Sequence, residues 1–525
     1  MFSTSQPVTE AEFFDRRREL SRLGEIVSAL ESGHPSWLAI LGQRKIGKSS
    51  LLLEAARKLS TPLLGIAVLD TSESAPLSAE FFRVYALRCL DVLTSNELGA
   101  SLEAAARTPE TYRNALSSAG WLAKLDPSFR GFLLELPTCR LDPASIRECL
   151  ALPERLATLL GRRLLVAIDE FQDLAALSSK LAIVDPVPVM RASWQRHRRV
   201  SYVISGSSRT MIEELVTSKS SPFFQHFAMM EVGPFAPEDA TEFLVSKSPL
   251  DRRIPAELAK RAIELVGSHP FYVQLMGDAL VRANEPFDDE LLKAATQDLL
   301  FSRSGRLALY FQIEFERVVG RSTYLASALE SLAEGDARLS VIAQRIGATT
   351  GQTSNYLSRL GDVVVRRPDG SYGLSDSTFG LWLRWRKPGG SVVPMTILGD
   401  EAERQVTLHL AGFGFDLVYQ SRASRGAFDL LATRGARHLG IQVKRSALPL
   451  RFSKAEWARM VADGKRLGWA WIIAAVTADG IHLLDPRRAR KGREVRVPVD
   501  ASIENILAWL DATPANLFQR PAKVL

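Results

Sequence analysis

Gly42-Gln43-Arg44-Lys45-Ile46-Gly47-Lys48-Ser49 fits the spacing G-x-x-x-x-G-K-[ST] at every fixed position. An apolar run, Trp37-Leu38-Ala39-Ile40-Leu41, precedes it and reads as a buried strand; helix-forming sequence, Ser49 to Leu59, follows. A tight turn between strand and helix points several backbone N–H groups into one concavity at the positive end of the helix. Gly42 and Gly47 supply the turn, Lys48 reaches the β- and γ-phosphates of a nucleotide, and the Ser49 hydroxyl ligates Mg²⁺, with Ser50 beside it. The stretch predicts a nucleoside triphosphate site, with ATP and Mg²⁺ as the cofactors.

Further along, Leu164-Leu165-Val166-Ala167-Ile168 is a continuous apolar run, the pattern of a parallel strand buried on both faces. It ends in Asp169-Glu170. A carboxylate at that edge sits beside the phosphates and holds Mg²⁺, and the next glutamate orients the attacking water. Strand-like runs at 37–41, 63–69, 164–168, 200–205 and about 229–232 alternate with helical patterns, which predicts a parallel α/β sheet. The fourth run ends in Ser205-Gly206-Ser207-Ser208; Ser207 either senses the γ-phosphate or simply starts a turn. A largely helical stretch of about 98–150 lies between the second and third strands and reads as an inserted subdomain.

Length and composition frame this core. A chain of 525 residues exceeds one hydrophobic core. Its apolar fraction of 46% and charged fraction of 24% are ordinary for a soluble protein, and no apolar run approaches a membrane span. The N-terminus lacks a signal pattern, so the expected compartment is the cytoplasm, with no membrane partner. Cys89, Cys139 and Cys149 show no paired spacing, which argues against a zinc site or a disulfide framework. Net charge is +7, and between Arg434 and Arg496 there are 15 Lys/Arg against 5 Asp/Glu. A basic C-terminal region on a near-neutral body points to DNA as a partner, against the plainer reading of a solvated basic face.

Downstream of the sheet, 237–317 is wholly helical, with Pro270 placed to open the helix Phe271–Ala283, and reads as a helical lid. Helical patterns at about 322–334, 338–347 and 350–361 follow, the second closed by Gly347 and the third capped by Thr349-Thr350. Two short apolar runs then flank Pro368-Asp369-Gly370, a hairpin signal. Three helices and a hairpin over 318–388 predict a winged helix-turn-helix. Its third helix carries Gln352, Thr353, Ser354, Asn355, Tyr356 and Arg359, residue types that read base edges or phosphates. Such modules bind protein as well as DNA, and both partners stay open.

Past the linker Pro388-Gly389-Gly390-Ser391, a new α/β unit spans 391–525. Glu403 lies on an amphipathic helical stretch, Asp429 in a strand-like run, and Gln442-Val443-Lys444 ends another apolar run. Strand alternation puts Gln442 and Lys444 on one face with Val443 opposite. A hairpin through Arg434-Gly435-Ala436 brings Asp429, Gln442 and Lys444 together. An acid and an amide oxygen can hold a divalent ion, while the lysine steadies developing charge on a phosphodiester.

The constellation of Glu403, Asp429 and Gln442-x-Lys444 resembles the PD-(D/E)xK nuclease superfamily, in its Holliday-junction-resolvase and Mrr-type branches. That resemblance implies a restriction-endonuclease-like fold and metal-dependent DNA cleavage, with Gln442 in place of the commoner acid. The front half resembles the archaeal-type ATPases of the STAND group. The matching text is Phe14-Asp15-Arg16-Arg17-Arg18-Glu19-Leu20, GQRKIGKSSLL, AIDEFQDL, ISGSS, GSHPFY and the segment from Tyr372 to Trp385. This implies an order of ATPase core (1–236), lid, winged helix and nuclease-like domain. One departure stands out: Ser221-Pro222-Phe223-Phe224 is followed by Gln225-His226, where the family pattern has Gly-Arg. Loss of that arginine implies slow, switch-like hydrolysis.

Two functions follow as expectations. One is an ATPase that couples a nucleotide switch to DNA binding and cleavage, with oligomerisation open. The other is a nucleotide-gated regulator or scaffold that binds DNA or protein and cuts nothing.

Overall fold

The computed structural model describes residues 2, 6–10, 12–71, 79–98, 101–176, 185–207, 209–283, 285–302, 304–385, 402, 405–406, 409–410, 413, 415, 417–420, 428–434, 437–467, 469–492 and 494–513. It divides into two compact units, Met1–Ile263 with Ser268–Gln274, and Glu264–Gly267 with Leu275–Leu525. Among the described residues no helix is long and apolar enough to cross a membrane.

The first unit is built on a five-stranded sheet of β1 (Trp37–Leu41), β2 (Leu64–Asp70), β3 (Arg163–Asp169), β4 (Val200–Gly206) and β5 (Phe227–Glu231). Their order is β2-β3-β4-β1-β5 and every pairing is parallel. Period-2 alternation splits each strand between two cores. Leu38, Ile40, Leu165 and Ala167 pack with helix α1 (Arg17–Glu31) and helix α2 (Lys48–Leu59); Ala39, Leu41, Leu164, Val166 and Ile168 pack on the other face. That two-sided burial explains why β1 and β3 read as unbroken apolar runs. Because β1, β4 and β3 run parallel, the loop after β1 and the carboxylates at the end of β3 come out at the same edge, one strand apart.

The stretch expected to be an inserted subdomain has no core of its own. Its buried residues Tyr112, Leu116, Phe129 and Leu133 join the core shared by helix α3 (Glu80–Leu98), helix Pro143–Leu159 and the sheet. Helical periodicity was visible in the sequence, but the identity of the surface it buries depends on contacts distant in the chain.

In the second unit, helices Asp289–Phe301, Arg306–Val319, Thr323–Ala333, Leu339–Ile346 and Thr350–Arg359 lead to a hairpin of β6 (Val364–Arg366) and β7 (Tyr372–Leu374), then helix Ser377–Trp385. Phe379 and Trp382 of that last helix pack on Phe311, with ring centroids 5.5 and 5.9 Å away. Gly347 ends its helix at φ 68, a left-handed backbone. Thr349 opens the next with a capping box: its hydroxyl accepts from the Gln352 amide at 3.3 Å, and Gln352 Oε1 accepts from the Thr349 amide at 3.1 Å. This corrects part of the expected reading face. Gln352 is committed to the cap, Thr353 is buried, and Tyr356 stacks on Tyr324 at 5.2 Å, leaving Ser354, Asn355 and Arg359 exposed.

A second sheet has the order β13-β12-β10-β9-β8, from β8 (Leu417–Gln420), β9 (Leu430–Arg434), β10 (Arg437–Arg445), β12 (Ala470–Thr477) and β13 (Gly480–Leu484). Only β10 and β12 pair in parallel, joined through helix Lys454–Leu467. Leu430, Ala432, Leu439, Ile441, Ile472 and Ala474 form its core with Ala402, Val406 and Leu410. A small sheet of β11 (Leu450–Phe452), β15 (Val495–Val497) and β14 (Arg490–Lys491) completes the unit.

Candidate functional site

The loop after β1 is held in shape by its own lysine. Lys48 is buried, and Nζ donates to the carbonyls of Gly42 at 2.9 Å and Gln43 at 3.0 Å. Burial lowers its pKa, against the raising influence of Glu170 and Asp169. Two glycines are structurally required here. A Cβ at Gly42 would stand 2.6 Å from the Val232 carbonyl oxygen, and Gly47 has φ 103, which side-chain-bearing residues rarely adopt. Ser49 Oγ donates to Asp169 Oδ2, and Ser205 Oγ, buried in β4, donates to Asp169 Oδ1. Ser50 Oγ accepts from the Val8 amide at 3.0 Å.

Glu170 sits at φ 51, a strained conformation for a residue with a side chain. Its Oε2 accepts from Gln172 Nε2, from the Ser207 hydroxyl at 2.8 Å and from the Ser207 amide at 3.2 Å. Burial by itself would raise its pKa; these hydrogen bonds and the Lys48 charge outweigh it, and the net shift is downward. The carboxylate is therefore charged near neutrality. Ser207 stands at the edge expected from the sequence, but its hydroxyl is bonded to Glu170.

Around these groups lies a cavity of about 270 Å³, lined by Lys48, Ser49 and Glu170 and also by Pro7, Val8, Phe14, Phe235, Phe243 and Phe271. Lys45 Nζ lies 4.1 Å from the Phe271 ring centroid. Charged donors beside an aromatic-rich wall suit a ligand with an anionic end and a flat apolar end. Sequence reasoning missed the part played by the segment before α1. There the Glu10 amide donates to Glu54 Oε2 at 2.9 Å, and the buried Arg16 donates to the Ile46 carbonyl at 3.1 Å. No local spacing signals these contacts, because they join residues 30 or more positions apart. Where the family pattern has Gly-Arg, Gln225 takes a left-handed φ of 60, the conformation a glycine adopts freely, and His226 Nε2 accepts from Arg191 Nε at 3.4 Å.

In the second unit, Asp429 immediately precedes β9, and its amide donates to the Ile441 carbonyl at 2.9 Å. Its Oδ2 accepts from the Val443 amide at 2.7 Å and from Gln442 Nε2. Burial raises the Asp429 pKa, opposed by those bonds and by the charge of Lys444. Asp429 and Gln442 are thus in contact, and Lys444 is near enough for its charge to act on Asp429. Lys444 Nζ donates to Glu456 Oε1 at 3.4 Å and lies 5.3 Å from the Phe452 ring centroid. Glu456 was not foreseen, although Ser453-x-x-Glu456 is a capping-box spacing. The Ser453 amide donates to Glu456 Oε2 at 2.9 Å, and Ser453 Oγ accepts from the Glu456 amide at 3.1 Å. Glu403 lies outside the described residues. Among those described, no group of three or more His, Cys, Asp or Glu is placed to hold a metal ion.

A glycine turn leading from a central parallel strand into a helix, with its lysine and a facing Ser–Asp pair, defines a phosphate-loop nucleotide-binding protein. Residues 13–275, about half of the sequence, match the family described as the ATPase domain predominantly from Archaea, and the chain belongs to that family. ATP is thus its nucleotide and ATP hydrolysis its enzymatic class. No curated protein matches the chain. Among solved structures it is similar to the Walker-type ATPase of Pyrococcus abyssi, at 21% identity over 72% of this chain and 99% of that one, TM-score 0.48. It is similar also to the ORC2 protein of Aeropyrum pernix in ADPNP–ADP complexes, at 13% identity over 72% and 94%, TM-score 0.46. A further match, Hjc, a Holliday junction resolvase from Archaeoglobus fulgidus, has 20% identity over 20% of this chain and 98% of that one, TM-score 0.19.

Proposed function

We propose that ATP bound in the first unit gates DNA binding and metal-dependent DNA cleavage by the second. In this reading Lys48 and the amides from Gly42 to Ser50 hold the phosphates. Ser49 and Asp169 hold Mg²⁺, Glu170 orients the attacking water, and Ser207 sits at the γ-phosphate edge. The Ser49 hydroxyl and Asp169 carboxylate already face each other, so the donor set suits an octahedral, oxygen-ligated ion. Such an ion would neutralise charge on the phosphates. Residues 237–317 act as the lid, 318–388 as a winged helix and 391–525 as the nuclease-like domain.

The observation that carries cleavage is the meeting of Asp429, Gln442 and the Val443 amide at one point of β9 and β10, with Lys444 on the same strand face as Gln442. Asp429 and the side-chain amide oxygen of Gln442 would be the metal-holding pair, with Glu403 the further acid. Lys444 steadies the phosphodiester charge. The test is Mg²⁺- or Mn²⁺-dependent nicking of branched and linear DNA by wild type and by Asp429→Ala and Lys444→Ala. Cutting by wild type alone is expected; equal cutting by all three, or by none, overturns the cleavage reading.

A second reading, a nucleotide-gated regulator or scaffold that binds DNA or protein without cutting, is favoured by two specific features. Gln442 adds no charge where an acid would, and Lys444 is paired with Glu456. ATP-dependent DNA or protein binding without nicking is its signature.

A further inference from the structure

The small sheet β11-β15-β14 carries a row of residues that none of the roles above uses. Its register sets Arg451 directly opposite Arg496, and Arg496 directly opposite Arg490. Directly opposed residues in an antiparallel ladder project from the same face. All three arginines are exposed, while Leu450, Phe452, Val495 and Val497, which alternate with them, are buried on the other face. Phe452 on that buried face meets Trp457 and lies near Lys444 Nζ, so the arginines project away from the Asp429–Lys444 side.

Like charges directly opposite each other destabilise a sheet, and here the middle arginine has a like charge on either side. The acids near the row do little to offset this. Glu494 is 3.9 Å from Arg451 and Asp500 is 3.7 Å from Arg490, beyond hydrogen-bond length, and all four side chains are at least half exposed. The Arg496 guanidinium has no ion pair among the described residues. The row therefore works against the stability of its own sheet. Adjacent strands lie about 4.8 Å apart, so the row spans about 10 Å. A DNA duplex carries one charge per about 3.4 Å of axis on each strand, and long arginine side chains on a row of that length can each reach a phosphate of the backbone passing over it. Guanidinium forks match phosphate oxygens in pairs, and among the described residues of this sheet the one aromatic, Phe452, is buried on the opposite face and offers no anchor of the kind protein interfaces favour.

We propose that Arg451, Arg496 and Arg490 form a contact for the phosphate backbone of double-stranded DNA, on a face distinct from that of the candidate metal-binding residues. The contact positions the duplex without reading its sequence. It rests on the DNA-directed function proposed above and names the surface that serves it.

The experiment is fluorescence anisotropy of a labelled mixed-sequence duplex titrated with the full-length protein across a KCl series. Wild type is compared with the triple variant Arg451→Gln, Arg490→Gln, Arg496→Gln and with Arg496→Gln alone. The triple variant is expected to lower the slope of log K against log salt by about 2.7, and the single variant by about 0.9. ATPase rate should be unchanged and thermal stability equal or higher, since repulsion is relieved; a purely structural role predicts lower stability instead. If wild type binds with steep salt dependence and both variants keep its slope and affinity, the row is refuted while the DNA reading survives. If wild type binds no duplex at any salt, the DNA reading fails and the row fails with it.

Discussion

Replacing Glu170 with glutamine should separate nucleotide binding from hydrolysis. Three donors converge on Glu170 Oε2, and a glutamine carbonyl oxygen in the same place accepts from all three. The side-chain position is therefore retained, and what disappears is the charge and the basicity. Positioned acid–base groups contribute about 10²–10⁴-fold to rate, which is roughly 2.7–5.4 kcal/mol of barrier at 1.36 kcal/mol per tenfold. Removing a negative charge that Lys48 feels leaves ATP affinity unchanged or tighter, because the lysine then faces the phosphates with less competition. Steady-state phosphate release and equilibrium titration with a fluorescent ATP analogue measure the two quantities separately. The expected result is a kcat lowered about a hundredfold or more with Kd no weaker. A kcat equal to that of wild type would refute the role given to Glu170, and a Kd weakened in step with kcat would show that its charge serves binding. The pH dependence has a definite sign. Because the Glu170 pKa is lowered, the group is ionised above the ordinary glutamate range of about 4.3, so it contributes no loss of turnover between about pH 8 and 6.

Lys48→Ala should weaken ATP binding severely while leaving the chain folded, since among the described residues the buried ammonium bonds to loop carbonyls and to no other element; titration calorimetry with unchanged affinity would contradict this. Gly206→Ala places a Cβ 2.0 Å from Gln172 Oε1 and 2.9 Å from Ile212 Cγ1, which drives Gln172 off Glu170. Overpacking of this kind costs about 1–3 kcal/mol, so a lower Tm and slower hydrolysis with ATP binding retained are expected. Asp429→Asn tests burial at the second site. The folded-state pKa of Asp429 is raised, so its protonated form is the one folding favours; the stability it contributes is present at low pH and is lost as pH rises through the raised value. The asparagine variant should therefore melt higher than wild type at neutral pH and converge with it towards about pH 4. A variant that melts lower at neutral pH would show that the Val443 and Gln442 bonds need the ionised carboxylate.

Much of the first unit was legible because its signals are local. Gly42 to Ser49, the apolar runs of β1 and β3, and Asp169-Glu170 each encode their element within a few residues through chain stiffness, alternation and helix polarity. The same is true of Gly347, Thr349 and the turn before β7, where backbone conformation selects the residue type. Reading failed where a side chain had two available partners. Gln352 and Thr353 suit a DNA-facing helix by residue type, but the N-terminus of that helix takes Gln352 for its cap and packing takes Thr353. Lys444 has the strand phase read from the sequence and its charge acts on Asp429, but its pairing with Glu456, fixed by a capping box of its own, had no signal near Lys444. The helices of about 102–135 were visible as helices, while their burial in the core of the sheet was not.

Periodicity, capping and turn chemistry act over a handful of residues, so the elements and the chemical groups at their ends are written locally along the chain. Which of those groups meet depends on the packed fold. The cradle of Glu170 by Gln172 and Ser207, the strap of Val8 and Glu10 over helix α2, and the row of Arg451, Arg496 and Arg490 all depend on strand order and register. Those are set by the simultaneous burial of many distant apolar residues, and no short stretch of sequence carries them.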